Sequence, residues 1–151
     1  MITRRAVLLT LLATPAVISG PSVAFAASPP VFVQHGAALG GTDAVAYFTQ
    51  GEPVRGGAGL THEWNGARWQ FSSAEHRDAF AAEPERYAPA YGGYCAWAVS
   101  QGYLADTVRD AWTIYDGRLY LNANLRIRRR WERDIPGSLA QSEANWPGVL
   151  A

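Results

Sequence analysis

The sequence contains no lysine, one cysteine (Cys95) and no methionine after Met1. Each absence removes a class of chemistry. Without lysine there is no Schiff-base nucleophile, no pyridoxal enzyme and no phosphate-loop ammonium. All 13 basic residues counted as Lys or Arg are arginines. A single cysteine allows neither an intramolecular disulfide nor a zinc ribbon built from several thiolates. No thioether is available to a metal. Charge is also scarce, at 17%, and balanced, with 13 basic against 13 acidic residues. The chain therefore carries no basic footprint, and nucleic acid is not an expected partner. There is no G-x-S-x-G elbow, and no paired-carboxylate spacing stands out, which disfavours hydrolytic enzymes. What remains is 151 residues, 48% hydrophobic and 12% aromatic, with six tryptophans. That composition belongs to one folded domain and is too apolar for disorder.

The N-terminus reads as an export signal. Arg4 and Arg5 precede an apolar run from Ala6 to Ile18, and Ala24-Phe25-Ala26 offers small residues for a signal peptidase. Residues 1–26 are expected to be a signal peptide, and Thr3-Arg4-Arg5 also suits a twin-arginine route. The apolar run falls short of the ~20 residues that span a bilayer, so no stable membrane insertion is expected after signal removal. The expected location is the periplasm or another extracytoplasmic space. A lone thiol there is protected, functional or shared between chains. Residues 27–39 are expected to be a linker and 40–151 the domain.

Turn signals divide the domain. Asn65-Gly66 separates Thr61–Trp64 from Arg68–Phe71, and Asp116-Gly117 separates Trp112–Tyr115 from Arg118–Leu121. Both dipeptides tolerate the positive φ of two-residue turns, so two antiparallel β-hairpins are expected, sharing one sheet with Trp69 and Trp112 inside. Val45–Phe48 reads as a shorter strand. Ser72 with Glu75 suggests a capping box for a helix through Ala79 and Phe80, ended or restarted by Pro84. Tyr94–Gln101 reads as a second helix between Gly93 and Gly102. Asn122 is placed to cap a third, with Ile127, Trp131 and Ile135 on one face, and Ser138 with Gln141 to cap a last short one. The fold class is α+β: a small single domain of antiparallel hairpins packed against three to four short helices.

Arg126, Arg128, Arg129, Arg130 and Arg133 are interrupted by Glu132 and Asp134, and read as a solvated helix face. Trp64, Trp69, Trp97, Trp112 and Trp131 fall within expected strands and helices, which favours core packing over a sugar-stacking platform. Cys95 falls in the first turn of the second helix, where free amides and the helix dipole favour a thiolate and lower its pKa. Its neighbours Tyr94, Ala96 and Trp97 equally suit a buried structural cysteine. Of His35, His62 and His76, the last is best placed to act as a ligand.

Gly40-Gly41-Thr42-Asp43-Ala44-Val45-Ala46-Tyr47-Phe48, Trp69-Gln70-Phe71-Ser72-Ser73-Ala74-Glu75-His76, and Phe80 with Pro84 and Tyr87 resemble the YHS domain. Tyr91-Gly92-Gly93-Tyr94-Cys95-Ala96, Asp134-Ile135-Pro136-Gly137 and Ala144-Asn145-Trp146-Pro147 resemble its exported branch, some members of which carry selenocysteine at the cysteine position. The resemblance implies binding of copper or another heavy metal rather than an enzyme activity. Metal-binding relatives carry further cysteines; here Ala46 and Ser72 stand near two of those positions and His76 near a third. The ligand set it implies is Cys95 with His76, His62 being a further candidate, completed within one chain by Cu(I) or across a homodimer. Two alternatives stand beside it: a thiol redox protein with Cys95 as its catalytic residue and a thiol protein as partner, or a non-catalytic interaction module. With no second cysteine, a redox cycle would need an external thiol.

Overall fold

The computed structural model describes residues 26–151; the expected signal peptide, its arginine pair and all but the last residue of its cleavage motif lie outside the described residues. Both expected turns are present. Asn65 and Gly66 sit at φ 50° and 75°, and Asp116 and Gly117 at 49° and 74°, the left-handed pair that lets strands twist together over two residues. They join β3 (Gly57–Trp64) to β4 (Ala67–Phe71) and β5 (Trp112–Tyr115) to β6 (Arg118–Leu121). His62 pairs with Trp69 and Thr113 with Tyr120. A third antiparallel pair, β1 (Val33–Gln34) and β2 (Ala37–Ala38), turns at His35-Gly36.

The hairpins do not share a sheet, contrary to the expectation; each remains a two-stranded ribbon. The free edge of β6 is already occupied. Leu121 bridges Cys95 there, while on the β5 side the pairing runs on past the strand ends, Asn122 N–H donating to the Ala111 carbonyl and the Asn122 carbonyl accepting from Val108 N–H. Trp69 is buried as expected, whereas Trp112 is only half-buried, tilted against Tyr47.

Short helices fill the gaps and complete an α+β domain of hairpins packed against helices. They are α1 (Ala46–Thr49), α2 (Ala74–Ala82), α3 (Pro84–Tyr87), α4 (Ala96–Ser100), α5 (Leu125–Trp131) and α6 (Ile135–Asn145). Several boundaries differ from the sequence reading, each for a local reason. Val45–Phe48 is not a strand, because Asp43 Oδ1 accepts Val45 and Ala46 N–H and winds the segment into α1. Ser73, not Ser72, caps α2 by accepting His76 N–H. Asn124, not Asn122, caps α5. Asp134 caps α6 through Gly137 N–H, so Pro136-Gly137 opens that helix instead of ending the previous one.

The core is aromatic. Phe80 of α2 sits 4.8 Å from Trp69 and 5.1 Å from Phe71, with Trp64 edge-on at 5.8 Å. Such tilted pairs add roughly 0.5–1.5 kcal/mol each beyond area burial. Val31, Phe32, Ala38 and Leu39 join this core, so much of the segment expected as a linker is integral to the domain. A second cluster gathers Ala90, Ala96, Tyr120 and Trp131. The arginine helix is less idle than a solvated face: Arg130 lies over Trp97 at 4.6 Å, and Arg128 bonds Glu132 at 2.9 Å and Thr113 at 3.1 Å. Among the described residues no helix is long and apolar enough to cross a membrane.

Candidate functional site

Asp43 is the most unusual polar residue of the domain, a fully buried carboxylate. A buried carboxylate needs donors on both oxygens. Oδ1 receives Val45 N–H at 2.9 Å and Ala46 N–H at 3.2 Å. Oδ2 receives Ser72 N–H at 2.8 Å and the Ser72 hydroxyl at 2.6 Å, and lies 2.7 Å from His76 Nδ1. Burial pushes the carboxyl upward, but the Ser72 hydroxyl and amide together with His76 outweigh it. The net result is a pKa below the ordinary 3.8.

An ionised carboxylate only accepts, so His76 carries a proton on Nδ1. In the neutral ring this leaves the lone pair on Nε2. The hydroxyl of the exposed Thr49 stands 3.1 Å from Nε2 and 3.2 Å from the Val45 carbonyl, so its one proton serves one or the other. The junction of β4 with α2 and the start of α1 thus meet on one carboxylate and present one imidazole. Ordering a histidine through a carboxylate is how proteins prepare a metal ligand or a proton acceptor. Sequence reasoning found His76 but missed Asp43, Ser72 and Thr49 as its companions. The one local signal was Asp43 standing immediately before the apolar run Ala44–Phe48, the position of a cap.

Cys95 lies elsewhere. It is the N-cap of α4, not a residue of its first turn, and it is 1% exposed. Its thiol donates to Asn122 Oδ1 over 3.5 Å, and the same oxygen accepts Trp97 N–H. Burial pushes the thiol pKa up, and the amides of Ala98, Ala123 and Trp97 lower it by less. The expected depression is therefore corrected: desolvation of the charged form exceeds the help of a helix only five residues long. Native protein is expected to react with iodoacetamide at least about 100-fold more slowly than denaturant-unfolded protein, because alkylation must wait for local opening. Equal rates measured by mass spectrometry would show an open thiol instead.

Among the described residues no hydrogen bond joins Cys95 to His76, and they share no hydrogen-bond partner. His62, on β3, stands edge-on to Phe80 at 6.2 Å. Among the described residues no group of three or more His, Cys, Asp or Glu gathers to hold a metal ion. At His76 one chain supplies one oriented imidazole, a single ligand and fewer than a closed site needs. At Cys95 the sulfur is enclosed and faces Asn122 Oδ1. Comparison with protein-family models, curated proteins and solved structures finds no match for this chain.

Proposed function

We propose that this chain is an exported binding module similar to YHS-domain proteins, taking a soft or borderline metal ion, copper foremost, on His76. One observation carries the reading: the buried Asp43 carboxylate fixes Nδ1 of His76 and leaves Nε2 toward the exposed Thr49. Imidazole suits copper and zinc alike. One imidazole is short of the four ligands of a closed zinc site, whereas Cu(I) accepts low coordination. Two copies each lending His76 therefore match Cu(I) best, with a homodimer as the metal-bound form. Cys95 is left a core residue in this reading. The redox alternative has its enclosed sulfur and raised pKa against it.

Calorimetric titration of reduced protein with Cu(I) tests the proposal. Binding is expected in wild type and in Cys95→Ser, and is expected to be lost in His76→Ala. Thr49→Ala, which frees Nε2, is expected to bind at least as tightly as wild type. Sedimentation should show dimers only with metal. Unchanged binding in His76→Ala, or loss confined to Cys95→Ser, would overturn the assignment.

A further inference from the structure

Two sequence blocks far apart in the chain, Tyr91-Gly92-Gly93-Tyr94 and Ala144-Asn145-Trp146-Pro147, meet in space. Asn145 Nδ2 donates to the Val99 and Ser100 carbonyls, which fixes the end of α6 against α4. Trp146 then lies 5.8 Å from Tyr91 and 6.5 Å from Tyr94. Beside this junction is a cavity of about 340 Å³ lined by Tyr91, Arg118, Tyr120, Leu139, Glu143 and Trp146. That is the lower end of the size range of small-molecule sites.

Its walls are specific. Tyr91 meets Tyr120 at 6.1 Å and 51°, and Trp146 at 62°. Rings tilted this way form the sides of a cage, not the flat platform on which a sugar face stacks. Such cages hold ammonium groups through the negative faces of the rings. Tyr91 is held there at φ 56°, a left-handed conformation that is costly for a bulky aromatic residue. Strain of that kind concentrates at functional sites. Glu143 of α6 adds a negative charge to the same cavity and Arg118 of β6 a positive one. The two are not ion-paired with each other or with any other side chain among the described residues. Both are exposed, and both lie near enough to the Tyr91 and Tyr120 hydroxyls to influence them. Burial keeps those phenols protonated, so they remain hydrogen-bond donors.

We infer that this cavity binds a small zwitterion, with its ammonium group among Tyr91, Tyr120 and Trp146 against Glu143 and its carboxylate on Arg118. Opposite charges left unpaired in one aromatic cavity match a ligand that carries both. A simple cation would meet Arg118 as a repulsion, and a simple anion would meet Glu143 and the ring faces in the same way. The site shares no residue with the Asp43–His76 cluster and stands independently of the metal reading.

Glycine betaine is the probe, with tetramethylammonium, acetate and glucose as comparisons, each titrated into the full mature protein by calorimetry. Glycine betaine is expected to bind with a Kd of about 1 mM or tighter. Arg118→Gln and Glu143→Gln are each expected to weaken it at least about tenfold, roughly the 1.4 kcal/mol of one charged contact. Arg118→Gln should leave tetramethylammonium binding intact or improved, an outcome that mere structural damage does not produce. Both positions are exposed, and unchanged near-ultraviolet circular dichroism will confirm that the variants fold. Absence of glycine betaine binding, an affinity unchanged from wild type in either variant, or tighter binding of glucose or acetate would each overturn the proposal.

Discussion

Replacing Asp43 by alanine is expected to destabilise the domain by about 3–5 kcal/mol, the range for breaking a buried, charge-assisted network. The substitution leaves five donors without an acceptor: the amides of Val45, Ala46 and Ser72, the Ser72 hydroxyl and His76 Nδ1. These come from α1 and from the β4–α2 junction, so one carboxylate holds two parts of the chain together. For a domain of this size the melting temperature should fall by roughly 10–20 °C. Ser72→Ala removes one donor and leaves the carboxylate otherwise served, at a cost of about 1 kcal/mol. The pH dependence has a defined sign. The folded pKa of Asp43 lies below 3.8. Its contribution is therefore complete above the unfolded pKa and is lost as pH falls through the folded value. Acid titration of stability should fall less steeply below about pH 4 in Asp43→Ala than in wild type. A loss under about 1 kcal/mol in urea denaturation would show that the network is not the anchor described here.

Gly92→Ala is expected to cost about 3 kcal/mol or more, whereas Gly117→Ala should cost only about 1–2 kcal/mol. Both glycines have positive φ, 61° and 74°, so both substitutions carry the strain of a left-handed alanine. The surroundings separate them. A Cβ on Gly92 would lie 1.9 Å from the Pro30 carbonyl oxygen and 2.9 Å from its carbon, both backbone atoms, while a Cβ on Gly117 meets nothing within 4 Å. The Gly92 carbonyl also accepts Phe32 N–H at 2.9 Å, tying the loop to the N-terminal segment, so it cannot move away freely. Urea midpoints of the two variants, compared at constant m-value, measure the difference. Equal losses would mean that the 30–32 segment yields easily and is not a fixed wall of the domain.

The features legible in the sequence were those set by neighbours in the chain. Asn65-Gly66 and Asp116-Gly117 specify their own φ angles, and the flanking strands follow with little reference to the rest of the molecule. Helix α2 was legible for the same reason, though adjacent serines shifted its cap by one residue. Val45–Phe48 was misread because its apolar pattern suits a strand, while the group that winds it into α1 is a carboxylate buried by tertiary contacts. Asn122 was misread as a cap because Asn122 and Asn124 have equal local claims. Only the docking of β6 against Cys95 and Trp97 drew the first inward and left the second to cap α5.

The site divides in the same way. His76 stood out by residue type and place on a helix, but its meaning depends on Asp43, 33 residues away, and no sequence period links the two. Cys95 was placed one position too far into its helix, and the sign of its pKa shift came from how deeply the sulfur is packed. That depth is a property of the whole core. The cavity beside Tyr91 joins residues from three separate stretches, and nothing in the sequence links them. Sequence by itself determined the hairpin turns, the α+β class and the absence of lysine and multi-thiolate chemistry, because composition and backbone preference act over a few residues. Tertiary structure alone decided that the hairpins stay apart, that Asp43 orders His76 and that Cys95 is enclosed. Desolvation and long-range hydrogen bonds exist only once distant segments exclude water together.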